Sequence, residues 1–396
     1  MTLNRLEEMD LNDKRVLIRV DLNLPILDGR VTDKTRIEKI LPTIKTVINN
    51  GGLPILISHL GRPNGKYLKE LSLSQFNDEL SKAIRREVIF AADCVGPSAE
   101  IASKILKKGQ ILLLENTRFH KGEEKNDRKF AAKMALFADV FCNDAFSSSH
   151  RAHASTEALA KLLPSCAGLL MQAELRALKS ILENPKAPVV AVLGGSKIST
   201  KLSLIKNLMR KVDFLIIGGA MANTFLAAKN MSIGRSLIEK DMLQEASHVL
   251  GLQSELQCEI ILPLDVVVAK ELRENAFYDV CLVDECPEDK MILDIGPDSI
   301  KKIISLFEAS NTLVWNGPLG AFELEPFDRA TNCVASAAAK LTRDGSLISV
   351  AGGGDTFAAL NKVKASEMFS YVSSGGGAFL EWMQGNVLPG IAALAN

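Results

Sequence analysis

Short apolar runs of three to five residues, rich in Val, Ile and Leu, recur along the chain. Each is followed by a polar loop and then a longer amphipathic stretch. In the first half the runs lie at 16–20, 55–58, 111–114 and 140–142. In the second half they lie at 189–193, 214–217, 259–262, 313–315, 347–350 and 369–372. Short buried runs alternating with helical patterns predict βαβ units and mostly parallel sheets. The runs suffice for two such sheets, and they show no fixed-period repeat. Residues 168–183 (GLLMQAELRALKSILE) predict one helix, because Leu169, Leu175, Leu178 and Leu182 fall near helical spacing. The segment NPKAP at 184–188 then breaks it. A domain boundary is expected between Ala167 and Pro188, with the helix as a hinge.

Composition narrows the class. A chain of 396 residues suits two domains. Lys plus Arg equals Asp plus Glu, 47 each, so no global basic field exists for nucleic acid or anionic lipid, and any anion site must be local. Seven cysteines, an odd number without a Cys-x-x-Cys pair, predict free thiols in a reducing compartment, and we read them as core residues. The N-terminus carries no apolar signal region, and no uncharged stretch reaches the ~20 apolar residues of a membrane helix. The expectation is a cytoplasmic protein with no membrane partner.

Ligands of open parallel sheets bind outside the carboxyl ends of the strands. In the first half those ends read Asp21-Leu22-Asn23, then Ser58-His59-Leu60-Gly61-Arg62, then Glu115-Asn116-Thr117-Arg118, then Asn143-Asp144 leading to His150-Arg151. Arg62, Arg118 and Arg151 are positioned to converge on one anion, with Arg36 from the first helix joining them. Arginine suits phosphate because its planar fork donates bidentate, charge-assisted bonds. A single arginine is usually a solvated charge or an ion pair; three with a histidine at successive strand ends favour an anion site. The second half ends its strands in Gly194-Gly195-Ser196-Lys197, Gly218-Gly219, Asn316-Gly317-Pro318, Gly352-Gly353-Gly354-Asp355-Thr356 and Gly375-Gly376-Gly377. Glycine at a strand-to-helix turn lets a ligand approach the backbone and its N–H groups. One doublet makes a tight turn; five favour a phosphate-bearing ligand such as a nucleotide.

Several chemistries are excluded by pattern. The only Gly-Lys pair, Gly65-Lys66, has Leu60 and Tyr67 where a P-loop needs Gly and Ser or Thr. Gly-x-Gly-x-x-Gly, His-Glu-x-x-His and Gly-x-Ser-x-Gly do not occur. His150 and His153 are expected to serve packing or structural hydrogen bonds. The simplest joint reading is an anionic substrate on the first half and a nucleotide on the second, with phosphoryl transfer driven by positioning and charge neutralisation. A non-catalytic nucleotide-binding scaffold and a nicotinamide-dependent oxidoreductase are the rivals. The first should have lost a charged site residue, and the second should carry the missing glycine fingerprint.

The chain resembles the phosphoglycerate kinase family almost from end to end. The matching segments are RVDLNLP (19–25), SHLGRP (58–63), ENTRF (115–119), NDAF (143–146), RAHAS (151–155), GGSKISTKL (194–202), IIGGAMANTFL (216–226), WNGPLGAFE (315–323), GGGDT (352–356) and SSGGGAFLE (373–381). The resemblance implies an α/β fold of two doubly wound, Rossmann-like parallel-sheet domains. These would be a substrate domain at 1–167, a hinge helix and linker at 168–187, and a nucleotide domain at 188–381. The tail 382–396, with its LPGIAAL, would pack back on the first domain. It also implies reversible transfer of the acyl phosphate of 1,3-bisphosphoglycerate to ADP, giving 3-phosphoglycerate and ATP, with Mg2+. A monomer is the expectation, because the sequence shows no obvious oligomerisation segment. By motif, Asp21 and Asn23 would hold the glycerate, and His59, Arg62, Arg118 and Arg151 its 3-phosphate. Arg36 and Lys197 would neutralise the transferring group. Lys201 would contact nucleotide phosphates and Glu323 the ribose. Gly352, Gly353, Gly354 and Thr356 would lie against the phosphates, and Asp355 would bind Mg2+. Ser147-Ser148-Ser149 departs from the family's usual Gly-rich stretch, and Leu22, Leu24 and Thr117 are milder departures.

Overall fold

The computed structural model describes residues 3–27, 30–182 and 185–395. Glu183 at the end of the predicted hinge helix, and Asn184 in the predicted break, lie outside them. The chain divides into two units. Unit 1 is Met1–Arg176 with Val387–Asn396, and unit 2 is Ala177–Asn386. The division falls within the helix Leu169–Leu182.

Unit 1 contains β1 (Arg15–Arg19), β2 (Ile26–Leu27), β3 (Arg30–Val31), β4 (Leu53–Ile57), β5 (Val88–Ala91), β6 (Ile111–Leu114), β7 (Val140–Asn143) and β8 (Ser165–Ala167). Six of these form one sheet in the order β5-β6-β4-β1-β7-β8, and every pairing in it is parallel. Val16 and Ile18 pack into a cluster with Ile37, Ile40 and Ile44 of the helix Thr35–Asn49. Their neighbours Leu17 and Phe141 are buried as well. The strands therefore read as unbroken apolar runs rather than alternating ones, as doubly covered parallel sheets do. The Asp33 carboxylate accepts the Thr35 N–H at 2.8 Å and starts that helix. The chain's C-terminal segment closes on the same unit. Leu388, Ile391 and Leu394 are buried, and the Gly390 backbone bonds the Ser149 carbonyl at 2.9 Å and Asn143 Nδ2 at 3.1 Å.

Unit 2 contains β9 (Val189–Leu193), β10 (Phe214–Ile217), β11 (Glu259–Ile261), β12 (Asp265–Ala269), β13 (Tyr278–Leu282), β14 (Met291–Ile295), β15 (Thr312–Asn316), β16 (Ile348–Gly352) and β17 (Tyr371–Ser373). Its main sheet runs β11-β10-β9-β15-β16-β17, again with parallel pairings. In both sheets the first strand lies inside the sheet between two later strands, β4 and β7 beside β1 and β10 and β15 beside β9, so the winding reverses there. That switch point opens a crevice at the carboxyl ends. Fold and topology agree with the expected doubly wound class.

The differences are local. β5 and β8 are absent from the predicted runs, and the runs at 347–350 and 369–372 slide to β16 and β17. A three-stranded antiparallel sheet, β13-β12-β14, is a further element without a counterpart in the predicted runs. The reading of all cysteines as core residues is also corrected. Five are buried, but Cys281 is half-buried and Cys333 is exposed on the helix Arg329–Arg343. All seven are free thiols.

Candidate active site

In unit 1 the carboxyl ends of β1, β4, β6 and β7 bring their polar residues together. Asp21, 8% exposed, accepts the Asn23 N–H on Oδ1 at 2.9 Å. Its Oδ2 accepts the Ser147 hydroxyl and pairs with Arg36 Nη1 at 2.8 Å. Arg36 Nη1 also reaches the Asn23 carbonyl at 2.8 Å, and Asn23 Oδ1 accepts the Gly61 N–H at 3.0 Å. Asp21, Asn23 and Arg36 thus form one bonded group that is tied to the loop carrying Arg62. Arg118 Nη1 donates to the Gly61 carbonyl at 2.7 Å from the β6 side of that loop. Arg62 itself is exposed and, among the described residues, makes no hydrogen bond or ion pair.

Beneath this rim lies Arg19, 1% exposed. Its Nε donates to Ser155 Oγ at 3.0 Å, and Nη2 stands 2.9 Å from His59 Nδ1. Ser155 in turn donates its hydroxyl to buried Glu123 at 2.5 Å. A guanidinium only donates, so the His59 ring accepts at Nδ1 and is neutral. Burial, followed by the charges of Arg19, Arg118 and Arg151, holds the His59 pKa well below the ordinary histidine value. The same causes, burial first, bring His153 down to about 3. Arg118 falls to about 10 through burial, opposed by Glu124, whose carboxylate lies 3.3 Å from its Nε. Two neutral histidines inside a ring of arginines mark a strongly positive field. Of the predicted residues, Asp21, Asn23 and Arg36 meet through direct bonds. His59, Arg118 and Arg151 meet through that field. His150 Nε2 accepts from Arg151 Nε at 3.2 Å, a structural hydrogen bond of the expected kind.

Unit 2 carries a different surface. A cavity of about 350 Å3 opens at the carboxyl ends of its sheet. Its walls include Gly195, Gly219 and Pro318, the apolar side chains Leu237, Leu293 and Phe322, and the carboxylates of Glu323 and Asp355. The turns forming it leave no room for side chains. A Cβ on Gly194 would lie 1.7 Å from the Pro318 carbonyl oxygen. Gly219 adopts φ +67°, and a Cβ there would meet the Gly195 carbonyl oxygen at 2.6 Å. Lys201 donates Nζ to the Gly194 carbonyl and to Asn316 Oδ1, the latter at 2.7 Å. Burial lowers its pKa to about 8, with Asp355 opposing. Lys197 is exposed on the turn between β9 and the helix Leu202–Leu208.

The Gly352–Thr356 turn divides its work. Gly352 is buried, and its carbonyl accepts from Asn316 Nδ2 at 2.6 Å and Thr356 Oγ1 at 2.9 Å. Thr356 Oγ1 also accepts the Gly317 N–H at 2.7 Å, so that hydroxyl is engaged within the turn. Gly353 adopts φ +105°, and around Gly354 a Cβ would meet nothing within 4 Å. Asp355 stands exposed in the first turn of the helix Gly354–Lys362. An exposed carboxylate on the cavity wall suits Mg2+, which takes one or two carboxylates and completes its shell with phosphate and water. Elsewhere, the side chains of Asp93, Cys94 and His120 have ligand atoms within 4.8 Å of one another. His120 Nε2 and Asp93 Oδ1, at 2.6 Å, already form a hydrogen bond there, and the buried Cys94 thiol is pushed well up by burial.

The phosphoglycerate kinase family model matches residues 6–386. The chain belongs to the phosphoglycerate kinase family. It is 58% identical over 389 residues to phosphoglycerate kinase of Ruegeria pomeroyi, covering 98% of each chain. Among solved structures it is similar to phosphoglycerate kinase from Coxiella burnetii, at 42% identity and a TM-score of 0.91 over 99% of both chains. It is also similar to that from Pyrococcus horikoshii OT3, at 29% identity and a TM-score of 0.84, covering 99% of this chain and 98% of that one.

Some site features escaped the sequence reading. Arg19 sits in a matching motif, but its burial under the rim has no pattern of its own. The apolar cavity wall comes from residues scattered between 237 and 322. Asn316, which joins Lys201 to Gly352, stood out at a strand end and within WNGPLGAFE, but its linking role did not.

Proposed function

We propose that the two surfaces divide the family's reaction between them, the unit 1 rim taking the phosphoglycerate and the unit 2 cavity taking the nucleotide. The reaction itself is that of the family: reversible transfer of the acyl phosphate of 1,3-bisphosphoglycerate to ADP, giving 3-phosphoglycerate and ATP, in glycolysis and gluconeogenesis. The chain is a phosphotransferase with a carboxyl group as acceptor, and ATP and ADP are its co-substrates.

In this reading His59, Arg62, Arg118 and Arg151 hold the 3-phosphate, and Asp21 and Asn23 hold the glycerate. Arg36 and Lys197 neutralise the transferring group. Lys201, Gly353, Gly354 and the backbone of the Gly352–Thr356 turn face the nucleotide phosphates. Glu323 accepts from the ribose hydroxyls, and Asp355 would hold Mg2+, which screens charge on the phosphates when bound. A β-phosphate oxygen of ADP attacks phosphorus, the bond from phosphorus to the acyl oxygen breaks, and the carboxylate leaves with that electron pair. No proton moves, so no general base is needed, and cations at the transferring oxygens suffice. The observation that supports this most is the bonded group of Asp21, Asn23 and Arg36 at the edge of the arginine field.

The balance of 47 basic and 47 acidic residues supports small-molecule partners without nucleic acid. No helix among the described residues is long and apolar enough to cross a membrane. A monomer acting in the cytoplasm is part of the same proposal. Arg36→Ala tests its centre. Turnover of 3-phosphoglycerate and ATP should fall by about 10²–10³-fold while ADP affinity by calorimetry stays unchanged. Unchanged turnover removes Arg36 from the transfer step.

A further inference from the structure

The three serines at 147–149 do not share one task. Ser148 and Ser149 both donate their hydroxyls to the Ala145 carbonyl, each at 3.1 Å. Those bonds close the short turn after β7, and the Ser149 carbonyl holds Gly390 of the C-terminal segment. Ser147 differs. It is half-buried, and its hydroxyl points across to β1 and donates to Asp21 Oδ2. β1 and β7 are paired neighbours, with Arg19 opposite Asn143, so the residues just past their ends meet by register.

We infer that Ser147 is a positioning residue for the phosphoglycerate site, holding the Asp21 carboxylate in place for substrate and for Arg36. This rests on the reading of Asp21 and Arg36 given above. Asp21 is fixed on one oxygen by the Asn23 N–H and on the other by Arg36 and Ser147 together. Arg36 Nη1 already serves both Asp21 Oδ2 and the Asn23 carbonyl, so if that nitrogen is drawn to a phosphoryl oxygen, Asp21 Oδ2 gives up its cation. The Ser147 hydroxyl is then the remaining donor on that oxygen. It keeps the carboxylate plane from rotating and lowers the penalty of uncovering a buried charge. A glycine at 147 has no such donor. The hydroxyl at this position is therefore a device that backbone alone would not supply.

The test is steady-state kinetics of Ser147→Ala and Ser147→Thr beside Asp21→Ala, with 3-phosphoglycerate and ATP varied separately. Ser147→Ala should raise the KM for 3-phosphoglycerate by about 3- to 10-fold, leave the KM for ATP unchanged, and be rescued by Ser147→Thr. Ser147→Gly serves as a second removal of the hydroxyl should the alanine variant fold poorly. A purely structural serine would lower the melting temperature and leave the KM values alone, which overturns the inference. If Asp21→Ala raises the KM for 3-phosphoglycerate and neither Ser147 variant does, the positioning role is wrong and the site reading stands. If Asp21→Ala changes nothing, the site reading fails, and the role of Ser147 fails with it.

Discussion

The two units use the same sheet geometry to meet anions in opposite ways. In unit 1 the strand ends carry guanidinium groups, and a buried layer of Arg19, Ser155 and Glu123 supports them from below. In unit 2 the strand ends carry almost no side chain, and the backbone itself forms the surface against an apolar wall. Attraction by charge acts over a distance and tolerates small displacements, but salt screens it. Recognition by backbone contact needs shape, resists salt, and fails when one atom is added. One fold can therefore supply a long-range anchor and a close-fitting cradle by changing only the residues after its strands.

A small side-chain change on each surface tests that contrast most severely. Gly194→Ala drives a Cβ into the Pro318 backbone carbonyl, which cannot swing aside as a side chain could. It should destabilise unit 2 by about 3 kcal/mol and weaken ADP binding more than about 100-fold. Gly354→Ala meets nothing within 4 Å and should keep stability within about 0.5 kcal/mol of the parent. Any loss of ADP affinity in that variant then reports the ligand. Arg62→Lys, a comparable change on the other rim, should cost only about tenfold in 3-phosphoglycerate affinity, because the charge survives and the fork is lost. Calorimetry and thermal melts decide it. Equal tolerance at Gly194 and Arg62 would erase the distinction between cradle and anchor.

Salt gives a milder test of the same idea. Raising ionic strength from about 0.05 to 0.5 M shortens the screening length several-fold. The KM for 3-phosphoglycerate should rise by about tenfold, and that for ATP at fixed free Mg2+ by about twofold. Parallel rises in both would mean that charge dominates on each side.

How much of this could be read from the chain depended on the scale of the interaction. The βαβ order was legible because a doubly buried strand forces a local apolar run, as at 189–193 and 214–217. β8 escaped because Ser165-Cys166-Ala167 contains no Val, Ile or Leu, whereas β5, Val88-Ile89-Phe90-Ala91, is an apolar run of the same kind as those read. The antiparallel β13 escaped because four of its five residues are exposed. Arg62, Arg118 and Arg151 stood out as charges next to predicted strand ends. Arg19, inside a strand, gives no such cue, because its partners Ser155 and His59 are brought to it only by the sheet. The cavity wall was illegible for the same reason: Leu237 and Phe322 meet through tertiary contact alone. Thr356 teaches a narrower point. Its hydroxyl joins the Gly352 carbonyl to the Gly317 N–H of another strand end, a link that no local sequence signal announces.

The subtlest prediction concerns a half-buried cation in the cradle. Lys201 is brought down to about 8 by burial, with Asp355 opposing. Below that pH it is charged and donates to the Gly194 carbonyl and Asn316 Oδ1; above it the charge is lost. In the proposed role only the charged form attracts nucleotide phosphate strongly. Affinity for ADP should therefore be full near pH 7 and fall by about three- to fivefold as pH rises to 9, at constant free Mg2+. The arginine rim holds its charge over that range, so the KM for 3-phosphoglycerate should stay flat. Lys201→Arg should bind ADP with little pH dependence, because a guanidinium does not titrate there. If the parent protein binds ADP equally at pH 7 and 9, the Lys201 charge does not reach the nucleotide. The cradle then works by backbone shape alone, which would make the contrast between the two units complete.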